Sequence, residues 1–155
     1  MTMKVRAVPT QGLFSLGYSG VRFEAVTQWL DQHDALLVDV RFKPFSRNPQ
    51  WRQSYLQRVL GPRYWHVPEL GNLNYKGGRI QLMDEAAGVR TVSEMLERTP
   101  VALLCVCSDH ATCHRTVAAE AIKASTSVTI THLTPADFGP AEQLDLLTSY
   151  HRVTS

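Results

Sequence analysis

Strand-like and helix-like segments alternate along this chain, and the alternation constrains its fold more than any other feature. Residues 35–40 are apolar except for Asp39 near the end of the run, and residues 101–107 form a second apolar run. Continuous runs of this kind are typical of parallel strands that are covered on both faces. Further strand-like segments lie at residues 13–17, 64–67 and 127–133, with apolar residues at helical spacing between the strands. We predict an α/β fold: a mostly parallel sheet of about five strands with helices on both faces.

Length and composition indicate one globular domain over residues 1–155. No apolar run approaches the roughly 18 residues that a membrane-spanning helix needs. Residues 1–10 lack the apolar stretch of a signal peptide. The three cysteines lie within nine residues of one another, which is not typical of a disulfide-linked secreted protein. We therefore expect a cytoplasmic protein with free thiols and no membrane partner.

The positive charge of the chain is concentrated in one segment. Residues 41–68 contain six basic and no acidic side chains, although the whole chain has a net charge of only +2. Aromatic residues are interleaved with these charges: Phe42, Phe45, Trp51, Tyr55, Tyr64 and Trp65. Basic and aromatic side chains together bind nucleotides or single-stranded nucleic acid. The alternative is a solvated basic helix whose aromatic side chains face the core.

Polar residues follow the ends of the predicted strands. These are Tyr18 and Ser19 after the first strand, Asp39 and Arg41 at the second, Glu69 after the third, and Asp109, Cys113, His114 and Arg115 after the fourth. Ligands of parallel α/β sheets bind at the carboxyl ends of the strands. We expect these residues to meet at one edge of the sheet, and an anion to bind there near Ser19, Arg41, Arg47 and Arg115. Because a buried acid needs a partner, Asp39 should contact Arg41 or Arg115.

Cys113 is the candidate nucleophile. It lies where a strand gives way to a helix, and a helix N-terminus lowers the pKa of a nearby thiol. Arg115 would add a bidentate phosphate donor. Cys105 and Cys107 belong to the predicted buried strand, where burial raises a thiol pKa, so we expect Cys113 to be the most reactive thiol. The alternative is that Cys113 is a small buried residue with no chemical role.

A metal site is the less favoured interpretation of the same segment. Cys105, Cys107, Cys113 and His114 are ligands of the type that zinc uses. The two strand cysteines are expected to point into the packed core, however, and structural zinc sites usually combine clusters from two separate loops. The sequence therefore predicts no metal site.

Several motifs together resemble the domain-of-unknown-function 488 family over about residues 13–133. They are Gly17-Tyr-Ser-Gly20, Val38-Asp-Val-Arg41, Ser46-Arg-Asn-Pro49 with Trp51 beyond it, His66-Val-Pro-Glu-Leu-Gly71, and Cys105 followed by Asp109 and Cys113-His-Arg115. Members of the family usually have Glu in place of Cys107 and Pro in place of His110, which makes Glu69 the nearest replacement acid. The resemblance implies a three-layer, flavodoxin-like or Rossmann-like fold and a polar pocket of unknown ligand, without a catalytic assignment.

Three functions remain open at this point. The first is an enzyme or sensor that binds a nucleotide or another phosphorylated ligand. Its candidate catalytic residues are Cys113, Glu69 and Asp39, and its candidate binding residues are Tyr18, Ser19, Arg41, Ser46, Arg47, Asp109, His114 and Arg115. The second is an accessory protein that binds or modifies nucleic acid through the basic segment 41–65. The third is a non-catalytic interaction module; the cofactor and the oligomeric state stay open.

Overall fold

A computed structural model describes residues 12–107 and 109–139. The strands are β1 (Leu13–Gly17), β2 (Leu36–Asp39), β3 (Tyr64–His66), β4 (Val101–Cys105) and β5 (Ile130–His132). The helices are α1 (Phe23–His33), α2 (Gln53–Leu60), α3 (Glu85–Leu96) and α4 (His114–Thr126), with short 3₁₀ helices in the connections. Among the helices of these ranges, none has the length and apolar character to cross a membrane.

The five strands form one parallel sheet in the order β3-β2-β4-β1-β5. After β1 the chain crosses the position of β4 to form β2 and continues in the same direction to β3. It then reverses direction, forms β4 between β2 and β1, and crosses β1 to form β5 at the opposite edge. Because such crossovers are right-handed, the helices that lead to β2 and β3 lie on one face of the sheet, and the helices that lead to β4 and β5 lie on the other. The α/β class predicted from the sequence is confirmed. The order differs from the 2-1-3-4-5 order of flavodoxin because β4 lies between β1 and β2.

Two apolar clusters lie on the two faces of the sheet. Neighbouring strand residues alternate between them, so that Val38 belongs to one cluster and Leu37 to the other. The first cluster takes Val92 and Leu96 from α3 and Ala118 and Ile122 from α4. The second takes Val26 and Leu30 from α1 and Leu56 from α2. This alternation is the period-2 pattern of a strand buried on both sides.

Strand β4 ends at Cys105, two residues before the end of the predicted apolar run. Gly17, the last residue of β1, pairs with Cys105, and Asp39, the last of β2, pairs with Leu104. Both neighbouring strands end here, and beyond Cys105 the contact with the segment after β1 is a backbone hydrogen bond from the N–H of Ser19 to the carbonyl of Val106 at 3.1 Å. Cys107 is exposed, and its assignment to a buried strand was wrong.

Candidate functional site

Asp39 is the buried polar anchor at the carboxyl edge of the sheet. Its side chain has no exposed surface. It accepts hydrogen bonds from the backbone N–H of Arg41 at 3.1 Å, from Nε at 2.8 Å and from Nη2 at 2.6 Å. The Tyr64 hydroxyl donates a fourth bond at 2.6 Å. The predicted contact of Asp39 with Arg41 is confirmed, and four donors saturate the carboxylate.

The charge states of this anchor follow from its surroundings. Burial, and then the adjacent Asp39 carboxylate, raise the pKa of the Tyr64 hydroxyl, which keeps it a donor. Burial disfavours the charge of Arg41, but hydrogen bonding and attraction by Asp39 outweigh it and raise the Arg41 pKa. The guanidinium also lies over the Tyr18 ring, with Cζ 5.3 Å from the ring centroid. Arg41 is therefore a fixed cation, and its buried Nη1 has no hydrogen-bond partner within residues 12–107 and 109–139.

Next to this anchor lies a cluster of two thiols and an imidazole, which we call the Cys–His cluster: Cys105, Cys113 and His114. Cys105 ends β4, Cys113 is the N-cap residue of α4, and His114 is its first residue. The three potential ligand atoms all lie within 4.8 Å of one another. The Nε2 atom of His114 lies 2.8 Å from the carbonyl oxygen of Val40. Since a carbonyl only accepts, Nε2 carries the proton and Nδ1 is left facing the Cys105 sulfur at 3.6 Å.

The three thiols differ in their readiness to ionise. Hydrogen bonds with Cys107 and Cys113, followed by burial, raise the pKa of Cys105. The hydrogen bond from Cys105 lowers the pKa of Cys113 against the effect of burial, and His114 and the backbone N–H of Arg115 lower it further. The bond from Cys105 likewise lowers the pKa of Cys107. Cys113 and Cys107 are thus the thiols that favour the thiolate.

The Cys–His cluster and Arg41 open onto a cavity of about 640 Å³, which we call the edge cavity. Its lining residues are Arg41, Phe42, Lys43, Phe45, Asn72, Asn74, Tyr75, Gly77, Gly78, Ile80, Cys105, Val106, Cys107, Thr112, Cys113 and His114. These lining residues include two permanent cations and three aromatic rings, and none of them is acidic. The cavity therefore offers a positive, partly aromatic surface.

The outer wall of the edge cavity combines Phe42, Lys43 and Phe45, which belong to the basic aromatic segment, with Tyr75, which was not predicted from the sequence. The Phe42 and Tyr75 ring centroids are 6.1 Å apart, and Lys43 Nζ lies 5.9 Å from the centroid of Tyr75. Tyr75 and Phe45 remain largely exposed. Tyr75 lies in the long connection between β3 and α3, where the sequence predicted no site residue beyond Glu69. The available signal was Tyr75 itself, an aromatic residue that follows Asn74 and precedes Lys76 in a polar segment.

Other predicted site residues lie away from the edge cavity. Tyr18 and Ser19 line a second, shallower cavity of about 390 Å³ together with Asn48 and Trp51. The Tyr18 ring stacks on the Trp51 ring with a centroid distance of 4.8 Å, so this face of Tyr18 is used in packing. The structure therefore divides the single predicted site into two places.

Four more predicted residues have local structural contacts. The hydroxyl of buried Ser46 accepts the backbone N–H of Asn48 at 3.1 Å. The Asp109 carboxylate accepts the N–H of Ala111 at 3.0 Å and caps a short 3₁₀ helix. Glu69 is half-buried in the 3₁₀ helix Pro68–Leu70, and Arg47 is exposed. None of Ser46, Asp109, Glu69 or Arg47 lines either cavity.

Arg115 is fully buried in the interior, although it follows His114 directly. Its Nε donates to the Ser15 hydroxyl at 3.0 Å, and its Nη1 donates to the carbonyl of Cys107. The Ser15 hydroxyl lies 2.6 Å from Nδ1 of His132. Arg115 therefore connects α4 to β1 and to the chain after β4, and it does not line the edge cavity.

These features describe an α/β protein with a ligand-sized, positively charged cavity at the carboxyl edge of a parallel sheet. Residues 22–122 match the family described as domain of unknown function DUF488, and the chain belongs to that family. The matched region contains the Asp39–Arg41 anchor and the Cys–His cluster, and it confirms the resemblance inferred from the motifs. No curated protein and no solved structure matched the chain.

Proposed function

We propose that the edge cavity binds a nucleotide or another small phosphorylated ligand with an aromatic group. The observation that carries this proposal is the composition of the lining: Arg41 and Lys43 beside three aromatic rings, with no acidic side chain among the lining residues. The volume of about 640 Å³ lies within the range of roughly 300–1,000 Å³ that is usual for small-molecule sites.

Arg41 supports the phosphate end of this proposal. Its guanidinium is held by two bonds to Asp39, so little side-chain freedom would be lost when an anion binds. Its buried Nη1 is a donor that no described residue of the chain satisfies. Lys43 adds a mobile cation on the same wall, and hydrogen bonds to charged groups contribute about 1.5–3 kcal/mol each.

The aromatic wall supports the other end of the ligand. Phe42, Phe45 and Tyr75 line the edge cavity, and the exposed rings of Phe45 and Tyr75 lack the enclosed packing of a core residue. Stacking of a base on an aromatic side chain contributes about 1–3 kcal/mol. A ligand that combines a phosphate with a planar ring would use both ends of the cavity.

The nucleic-acid alternative has weaker support. Two aromatic residues of segment 41–65, Trp51 and Tyr64, are buried in the core and cannot serve as stacking surfaces. Phe45 and Trp65 are exposed, and Arg52 lies over Phe45 with Cζ 5.2 Å from the centroid. A steep loss of RNA or DNA affinity with rising salt would support this alternative over the small ligand.

Isothermal titration calorimetry with adenosine and guanosine mono- and diphosphates tests the proposal. Lys43→Gln should weaken binding by about tenfold or more, since it removes one charged contact. Tyr75→Ala should weaken nucleotide binding and leave the binding of inorganic phosphate unchanged. The matched controls are Lys123→Gln and Trp65→Ala, which change an exposed cation and an exposed ring outside the cavity. Absence of binding, or equal losses in the cavity and control variants, would contradict the proposal.

A further inference from the structure

We propose that Cys105, Cys113 and His114 bind one zinc-class metal ion, with a fourth coordination position open to the edge cavity. From the sequence alone a metal was disfavoured, because the strand cysteines were expected to point into the core. The structure places Cys105 on the cavity wall beside Cys113 and His114 instead.

The distances within the cluster suit a tetrahedral ion. Zinc lies about 2.3 Å from a cysteine sulfur and about 2.0–2.1 Å from a histidine nitrogen, so two such ligands at a tetrahedral angle are about 3.6 Å apart. The Cys105 sulfur lies 3.6 Å from Nδ1 of His114. With the Cys113 sulfur, all three ligand atoms are within 4.8 Å of one another. One ion can therefore reach all three with small side-chain adjustments.

The chemistry of the donors selects the class of metal. Two thiolates and one imidazole are soft to borderline ligands, which favour zinc over magnesium or calcium. None of the three cysteines forms a disulfide. No carboxylate is among the lining residues of the cavity, so this wall lacks the charged oxygen ligands that usually hold magnesium or calcium.

The surroundings of His114 are those of a metal ligand. Its Nε2 donates to the carbonyl of Val40 at 2.8 Å, which fixes the ring orientation and leaves Nδ1 for the ion. Metal-binding histidines almost always donate their second nitrogen to a carboxylate or carbonyl in this way. Cys113, as the N-cap residue of α4, has the positive end of the helix dipole beside its sulfur.

The fourth position would face the cavity because all three ligands also line it. Three protein ligands with an open position are the arrangement of catalytic zinc, whereas structural zinc usually has four. Cys107 lines the same wall but is exposed, and it is not part of the cluster. We assign the open position to a water molecule or an anion from solution, with Cys107 left free.

Cobalt(II) is the probe, because its visible spectrum reports coordination number and thiolate ligation. The protein is loaded with Co²⁺ and dialysed, and metal content is measured by mass spectrometry. We expect one ion per chain, intense tetrahedral bands and a sulfur-to-cobalt charge-transfer band. Added azide should shift the bands if a position is open. Less than stoichiometric metal, a weak octahedral spectrum or no thiolate band would overturn the proposal, and an unchanged spectrum with azide would overturn the open position.

Variants separate the cluster from its exposed neighbour. Cys113→Ser and His114→Gln should each weaken binding by more than about 100-fold, since changes merely beside a metal ligand cost about 10–100-fold. Cys107→Ser changes a hydrogen-bond partner of Cys105 and not a ligand, so it should cost no more than about 10–100-fold. The matched control is His33→Gln, which changes an exposed histidine of α1 and should retain the metal and its spectrum. Loss of metal in His33→Gln, or a loss in Cys107→Ser as large as in Cys113→Ser, would overturn the assignment.

A measurement on the unaltered protein covers the case of a variant that does not fold. Zn²⁺ should protect Cys105 and Cys113 from alkylation while Cys107 still reacts, and equal labelling with and without Zn²⁺ would contradict the site. All of these measurements are made without a nucleotide, so they are independent of the proposed phosphorylated ligand.

Discussion

Replacing Asp39 with alanine would leave the buried Arg41 guanidinium without its counter-charge. The replacement removes three hydrogen bonds from Arg41 and one from Tyr64. Arg41 is only 4% exposed, so water cannot readily take the place of the carboxylate. Breaking a buried ion pair by removing one partner costs about 3–5 kcal/mol of unfolding free energy. At about 2–4 °C per kcal/mol for a chain of this size, the melting temperature should fall by roughly 6–20 °C.

Urea denaturation followed by tryptophan fluorescence measures this loss. The matched control is Asp31→Ala, because Asp31 is 76% exposed and lies 3.7 Å from Arg63, in a pair expected to contribute less than about 1 kcal/mol. The double variant Asp39→Ala/Arg41→Met should be more stable than Asp39→Ala alone, since it also removes the buried charge. The reasoning is refuted if Asp39→Ala costs no more than Asp31→Ala.

Three further predictions follow from individual residues. Iodoacetamide should modify Cys107 before Cys113 in the native protein, because the pKa of both thiols is lowered but Cys107 is exposed and Cys113 is buried; peptide mass mapping would show the order. Gly71→Ala should cost about 1–3 kcal/mol in denaturant unfolding and weaken ligand binding, since its Cβ would lie 2.6 Å from the Cα of Phe42 on the cavity wall. Stability should decline as the pH falls below about 6.5, because burial lowers the His132 pKa and the unfolded chain then binds the proton more readily.

Each of these predictions has an outcome that contradicts it. Labelling of Cys113 ahead of Cys107 would restore the order expected from the sequence alone. A Gly71→Ala protein as stable as the wild type would show that the Phe42 backbone moves at no cost. His132→Asn should reduce the pH-dependent loss seen in calorimetric melting, while His33→Gln, which changes an exposed histidine, should leave it unchanged. An equal slope in all three proteins would exclude His132 as the cause.

The sequence predicted the sheet because its signal is local. Continuous apolar runs such as residues 101–105 require cover on both faces, and helices between the strands provide it. The Asp39–Arg41 contact was predictable for the same reason, since two residues on one side of an extended chain are neighbours. The end of β4 was not predictable, because it depends on where β1 and β2 end.

Which residues line the edge cavity depends on the direction of each side chain, and the spacing of residues along the sequence does not determine that direction. Successive helix residues differ by about 100° in direction, so His114 reaches the edge cavity while Arg115 enters the core. Tyr18 follows the neighbouring strand β1, yet stacking on Trp51 places it at the second cavity. Tyr75 reaches the edge cavity from a long connection whose path no periodic pattern indicates.

Nuclear magnetic resonance can show where the ligand binds. A nucleoside diphosphate is titrated into ¹⁵N-labelled protein, and the amide shifts are followed residue by residue. We expect saturable shifts around the edge cavity, in residues 41–45, 72–80 and 112–114, with little change at Tyr18 and Ser19 of the second cavity. Shifts centred on the second cavity, or none at all, would contradict this expectation.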